Sequence, residues 1–479
     1  MKRRLVLLLA LVSAVGLVTA ACGTRVPEQT KVTSGGGLGG GGGGAGAGVA
    51  AAQGLDNVSA DGKVMFGSLE SPCGPGDAKG SFTPGVTDTE IRIGTIADVS
   101  GPKPGLNKGM HDSMKAFEKW CNDQGGINGR KLKVDLLDSK LLNYQDTIKG
   151  ACDTQFALVG GLGVLDQTGA QDAVDCGLVM VPGAAVSPEQ TGASNVVQPM
   201  PNLINKYLIG PADWVAKNYP DAIKHAGNVY SNFQTTQQQS DKLIEAYTQR
   251  GFDFTFHESA NVNESNWAPI VVAMKNRGVK YFTLTSSFEE IVPLQAAMAQ
   301  QDYKPEVIEL ETNFYNDKYP KDAGATADGT FVRLTAWPFE EADQNPAMKQ
   351  YLEALKAAVP DAAPELLGVQ AFSAGLLFAT AAKNAGSNLT RETLFEELKK
   401  IHKWNGGGLQ GTSDPGGNVP STCFIIMEVK DGGFVRKYPL PDADADVYNN
   451  DVAKGMACPP PEEGLASLTG NYGEGAKKR

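Results

Sequence analysis

The chain has 479 residues, 41% of them hydrophobic and 20% charged, a balance that builds a sizeable core and excludes a disordered chain. Its 43 Lys and Arg against 54 Asp and Glu leave a net charge of −11, which argues against a protein that tracks nucleic-acid phosphates. The one long apolar run stands at the N-terminus, which argues against several membrane spans.

Residues 1–21 read as a secretory signal. Met1-Lys2-Arg3-Arg4 is a basic start, and the apolar run after it closes on Thr19-Ala20-Ala21 before Cys22. Small residues running into a cysteine resemble a bacterial lipobox, which implies that Cys22 is lipidated and becomes the mature N-terminus. Residues 22–85 follow as a tether. Within 35–48, eleven of fourteen residues are glycine; such a tract buries too little to offset its chain entropy and behaves as a coil with a reach of about 35 Å. Six further cysteines, an even number in an exported chain, point to disulfides.

From residue 90 strands and helices alternate. Residues 90–97 make a strand, and Met110, Met114, Phe117 and Cys121 fall at helical spacing. Gly125-Gly126-Ile127-Asn128-Gly129 breaks that helix. Strands at 132–137, 156–159 and 178–181 follow, with helices near 144–152 and 171–174 between them. Four short apolar strands separated by helices predict a parallel sheet covered on both faces. The pattern restarts with strands at 227–230, 252–256, 279–285, 307–310 and 329–334. Helices fit 237–250, 268–277 and 291–301, then 347–358, 371–385 and 390–400. Two α/β lobes of similar size result, and residues 441–479, acidic and rich in Pro and Gly, read as a tail.

Ile91-Arg92-Ile93-Gly94-Thr95 leading into Asp98-Val99-Ser100-Gly101-Pro102 resembles the opening of the branched-chain amino-acid-binding family, type I periplasmic substrate-binding proteins of ABC importers. Trp120-Cys121-Asn122-Asp123-Gln124-Gly125-Gly126-Ile127-Asn128-Gly129-Arg130 is similar to that family's turn between first helix and second strand. Ala184-Ala185-Val186-Ser187-Pro188 and Gln370-Ala371-Phe372-Ser373-Ala374-Gly375 agree further. The resemblance covers about residues 88–440. It implies a two-lobed type I periplasmic-binding-protein fold, each lobe a mainly parallel sheet with helices on both faces, joined by three crossover segments. Lobe 1 would comprise 86–200 and 338–407, and lobe 2 would comprise 201–337 and 408–440, with crossings near 199–202, 335–338 and 408–411. Ligand would sit between the lobes, at the carboxyl ends of the strands.

Carried over residue by residue, the resemblance places Ser100, Gly163, Val164, Ala185 and Val186 of lobe 1 against a ligand, with Phe233, Gln234, Ser287, Phe288, Glu289, Asn313 and Phe314 of lobe 2. The amino-acid binders put hydroxyl side chains after the third and fourth strands; here Gly163, Val164 and Val186 stand there, leaving only backbone N–H groups. This implies a ligand other than a free branched-chain amino acid. Right-handed crossovers in a sheet of order 2-1-3-4 put the second and third helices side by side, so Cys152 should pair with Cys176. Cys423 with Cys458 would then tie down the tail, and Cys73 with Cys121 would dock the segment before the first strand.

Some residues admit several readings. Glu289 and Glu290 are an acid–base pair, helix N-terminal acids favoured by the dipole, or a hold for a ligand amine. Phe233, Phe288, Phe314 and Trp337 form an aromatic wall or pack in the core. Asp98 and Asp138 bind polar groups or end their strands in solvent. No catalytic constellation assembles, and no cofactor or metal site is expected. The sequence therefore reads as a lipid-anchored, monomeric, extracytoplasmic solute-binding protein on the outer face of the cell membrane. It would capture an amino acid, an amide or a small aromatic or organic acid, pass it to an ABC permease, and bind no nucleic acid. The rivals are a ligand sensor signalling to a membrane receptor and a secreted hydrolase.

Overall fold

The computed structural model describes residues 57–80 and 83–478. The expected signal segment, Cys22 and the glycine tract lie outside them. The first sheet is built from β1 (Glu90–Ala97), β2 (Lys131–Asp138), β3 (Ala157–Val159) and β4 (Val179–Val181), all parallel in the order β2-β1-β3-β4. Between them run α1 (Lys108–Asp123), α2 (Tyr144–Thr154) and α3 (Ala170–Asp175). Strands β3 and β4 are fully buried along their length, which is why they read as unbroken apolar runs. The turn from α1 into β2 uses left-handed backbone at Gly125, Gly126, Asn128 and Gly129. A Cβ on Gly126 would sit 2.0 Å from the Arg130 carbonyl oxygen, so this turn requires its glycine.

The second sheet takes β5 (Ala226–Ser231), β6 (Phe254–Ala260), β7 (Tyr281–Thr285), β8 (Val307–Leu310) and β9 (Phe331–Leu334) in parallel. Helices α4 (Gln234–Thr248), α5 (Ala268–Asn276) and α6 (Phe288–Gln300) connect the first four. The chain then returns through α7 (Pro346–Ala358), α8 (Leu366–Ala385) and α9 (Arg391–Lys399). Two strands absent from the sequence reading, β10 (Ile425–Lys430) and β11 (Gly433–Tyr438), extend the sheet antiparallel beyond β9, giving β6-β5-β7-β8-β9-β10-β11. Helix α8 is long and apolar enough to span a bilayer, yet 83% of its apolar window is buried in the fold; it is the core helix behind α1. Its Phe372 meets Phe66, Phe117, Trp120 and Tyr351 with ring centroids 5.3–5.9 Å apart.

Phe66 corrects the expected tether. It belongs to a hairpin, Met65–Phe66 with Leu69–Glu70, and is fully buried. Burying such a ring contributes roughly 1.5–3 kcal/mol, and the Cys73–Cys121 disulfide holds the following segment to α1. The other disulfides are Cys152–Cys176, joining α2 to the end of α3, and Cys423–Cys458. Residues expected as a loose tail are also packed. Leu465–Ser467 pairs antiparallel with Lys206–Leu208. The Glu245 carboxylate then accepts from the N–H of Thr469 at 2.6 Å, the N–H of Gly470 at 3.1 Å and the Tyr472 hydroxyl at 2.5 Å. Beyond them Ala476 donates its N–H to the Glu189 carbonyl, and its own carbonyl accepts from Ser194, both at 2.9 Å. The C-terminal segment thus holds α4 beside the second sheet and the loop after β4 of the first.

Three connecting segments are bonded side by side between the sheets. Ala336 bridges Gln410 antiparallel; Trp337 donates to the Leu409 carbonyl at 2.8 Å, and Gly411 to that of Thr335 at 3.1 Å. The Gln410 amide and the Ser413 hydroxyl both donate to the Pro199 carbonyl, at 2.7 and 2.6 Å.

Candidate functional site

Loops after β1, β3 and β4 face loops after β5, β7 and β8, and the connecting segments close the base between them. The cavity between them measures about 390 Å³, a size suited to a small ligand. The two sides also touch directly. Lys103 pairs with Glu290 at 2.6 Å, with side chains 10% and 5% exposed. Asn263 donates to the Pro102 carbonyl at 2.8 Å, and Gln239 to that of Val186 at 2.6 Å.

Of the expected contact residues, Val164, Ala185 and Val186 line the cavity from the first lobe, and Phe233, Ser287, Phe288, Glu289 and Asn313 from the second. Four do not line it. The Ser100 hydroxyl is bound to Asp138 at 2.5 Å. Gly163 packs on the Tyr144 ring, which a Cβ there would meet at 2.2 Å. Gln234 is the first residue of α4 and lies outside the lining. Phe314 is fully buried in the core, because the short 3-10 turn Thr312–Phe314 carries it inward. Trp337 is likewise a packing residue, stacked by Arg436 with the guanidinium 5.6 Å from its ring centroid. Glu289 and Glu290 occupy the first turn of α6, where the helix dipole favours them; Glu290 is spent on Lys103, while Glu289 lines the cavity.

Both strand-end acids of the first sheet are used internally. Asp138 accepts from the N–H of Val99 at 3.0 Å and of Ser100 at 3.3 Å. Asp98, fully buried, accepts from the N–H of Val164 at 2.8 Å and of Leu141 at 3.0 Å. Asp166 does the same for the next loop, accepting from the N–H of Val186 at 2.8 Å and of Ser187 at 3.0 Å. Burial raises both carboxyls above their ordinary range, Asp166 to about 6. The backbone donors that seemed free at Val164 and Val186 are therefore occupied.

Charge on the opposite wall is matched in the same way. Arg333 on β9, 6% exposed, lies 2.8 Å from Glu309 and 2.5 Å from Glu311, and bonds the hydroxyls of Tyr207 and Tyr247. Burial opposes its charge, but those four neighbours outweigh it and keep the guanidinium protonated. Glu365, just before α8, also lines the cavity. Its carboxyl is pushed up to about 7 by burial first and then by Glu289 and Asp112.

Sequence reasoning missed Asn107, Gln198, Thr312, Glu365 and Gln370, which all line the cavity. Gln198 immediately precedes the first expected crossing and Gln370 opens a noted motif, so position was available as a signal; residue type was not. Among the described residues, no group of three or more His, Cys, Asp or Glu is placed to hold a metal ion.

A sequence model of the periplasmic binding protein family matches residues 90–433. A Brucella melitensis protein named Leu/Ile/Val-binding protein homolog 1 is 22% identical over 313 residues, covering 63% of this chain and 81% of its own. Among solved structures, the fatty acid ABC transporter substrate-binding protein from Thermomonospora curvata superposes with a TM-score of 0.64 at 19% identity, covering 78% of this chain and 98% of its own. The leucine binding protein from Thermotoga maritima gives 0.60 at 17% identity, covering 72% and 97%. At these identities the structures share the fold.

Proposed function

The chain belongs to the periplasmic binding protein family, whose proteins bind solutes and are not enzymes, and from that premise we propose that it captures a small molecule outside the cytoplasm and delivers it to an ABC importer. The observation that carries this reading is the cavity of about 390 Å³ lined from both lobes and from the segments that connect them. A ligand held there contacts both lobes at once, so binding favours the closed arrangement over an open one, with the connecting segments as hinge. The cavity has the size for a ligand of the dimensions of an amino acid, an amide or a small aromatic or organic acid. Lipidation of Cys22 would anchor the chain to the outer face of the cell membrane as a monomer.

Small-angle scattering of the purified chain, with and without compounds that raise its melting temperature, tests the capture mechanism. Hits should lower the radius of gyration, because they bind the native state and close it. Stabilising compounds that leave the radius unchanged would count against closure. Cys22→Ser should release the chain from the membrane fraction; retention, with no lipid mass on Cys22, would refute the anchor.

A further inference from the structure

We propose that the cavity selects an uncharged ligand with an apolar body and an amide- or hydroxyl-type polar group, and rejects carboxylates. This rests on the reading of the cavity as a solute site and names the chemistry that site accepts.

A buried carboxylate needs cations or several N–H donors, since an unpaired buried charge costs several kcal/mol. The cavity offers few. Of its lining cations, Lys103 is paired with Glu290 and Arg333 with Glu309 and Glu311. The third, Lys206, stands at the exposed edge, where its ammonium donates to the Ser467 hydroxyl at 2.7 Å. The backbone donors of the first-lobe loops are no freer. Val164, Val186 and Ser187 give their N–H groups to Asp98 and Asp166. In effect the protein supplies its own carboxylates to those loops. The carboxyl groups on the lining without a counter-charge are Glu289 on α6 and Glu365 before α8, the latter accepting from the Asn316 amide at 2.7 Å. An arriving carboxylate would meet repulsion with no unspent buried cation to offset it.

The unpartnered polar atoms tell the same story from the other side. Three lining side chains are more than nine-tenths buried and have polar atoms with no hydrogen-bond partner: Asn107 Nδ2, both amide atoms of Gln198, and Gln370 Oε1. The hydroxyls of Ser287 and Thr312 line the cavity unpartnered as well. A buried polar group left without a partner costs about 1–3 kcal/mol, so this set is laid out for something to bond it. Apart from Glu365 Oε1, which also lines the cavity without a partner, every member is neutral, and donors and acceptors are both present, which is the complement of an amide or alcohol. Leu162, Val164, Val186, Met200, Phe233 and Phe288 supply apolar wall for the rest of the ligand.

Matched compounds decide it. The full chain would be screened by thermal shift and calorimetry with sets sharing one body, such as 4-methylpentanamide, 4-methylpentanol, 4-methylpentanoate, isopentylamine and leucine, and the benzyl and octyl counterparts. The expected result is binding confined to amides and alcohols, at least a hundredfold tighter than the matched acids, and weakened tenfold or more by Gln198→Leu. A preference for acids, amines or leucine would overturn the inference while leaving the solute-binding reading intact. Failure of every class in every body would overturn both, because a cavity of this kind that takes no small molecule is not a solute site.

Discussion

Asp166 offers a measurable consequence of placing a carboxylate behind the cavity wall. It is 1% exposed, holds the N–H groups of Val186 and Ser187 at 2.8 and 3.0 Å, and has its carboxyl raised to about 6, first by burial. In the unfolded chain the same group titrates near 3.9. Between about pH 4 and 6 the native chain therefore keeps a proton that the unfolded chain has released. The stability Asp166 contributes is complete below about pH 4 and is lost as pH rises through 6, by about 3 kcal/mol for a shift of about two units. Asp166→Asn removes the titration. Its amide oxygen can accept one of the two N–H groups, but its NH₂ faces the other, a mismatch costing about 1–3 kcal/mol at any pH. Urea unfolding at several pH values from 4 to 7.5, followed by tryptophan fluorescence, should show the native chain more stable than the variant at the acid end. The difference should shrink by up to about 3 kcal/mol towards pH 7.5. A difference that stays constant across the window would refute the assignment of that pH dependence to Asp166.

Arg333→Met leaves Glu309, fully buried, and Glu311 without their counter-charge, and should cost about 3–5 kcal/mol in chemical denaturation; adding Glu309→Leu and Glu311→Gln should recover most of that loss. Replacing both Cys152 and Cys176 by Ala opens a link across a sequence separation of 24, and loop-closure entropy sets the expected loss at about 3 kcal/mol in non-reducing urea. Deleting residues 470–478 removes the bonds from Gly470 and Tyr472 to Glu245 on one lobe and from Ala476 to Glu189 and Ser194 on the other. The ligand-free chain should then show a larger radius of gyration by scattering, and an unchanged radius would mean that the segment does not restrain opening.

The parts of this protein legible in its sequence are those whose cause is local or periodic. Short apolar runs such as Ala157–Val159 and Val179–Val181 have no polar face to show, so they announce a sheet covered on both sides. The left-handed turn at 125–129 needs its glycines whatever surrounds it. The Cys152–Cys176 pairing follows once the sheet order is known, because handed crossovers leave one arrangement for α2 and α3. Residues 57–80 misled because their composition resembles a linker; a single Phe66, buried against Phe372 and Trp120, decides otherwise.

The site was half legible, and the division follows a physical line. Backbone position after a strand is a property of topology, so Val164, Val186, Phe233 and Phe288 could be placed at the cavity by counting strands. Whether a group there is free to bond a ligand is a property of what stands behind it. Asp98 and Asp166 are 66 and 20 residues away from the N–H groups they occupy, and nothing in the spacing reports that they are spent. Arg333 reads as a strand residue until Glu309, Glu311, Tyr207 and Tyr247 close around it. Phe314 and Phe233 are the same residue type in loops of the same edge, yet one turns into the core and the other into the cavity. Geometry is inherited from the fold, whereas the chemistry of the cavity is set by second partners whose effect is to subtract donors. A carboxylate buried one layer behind a cleft can therefore decide which backbone donors the cleft offers without altering the strands and loops that shape it.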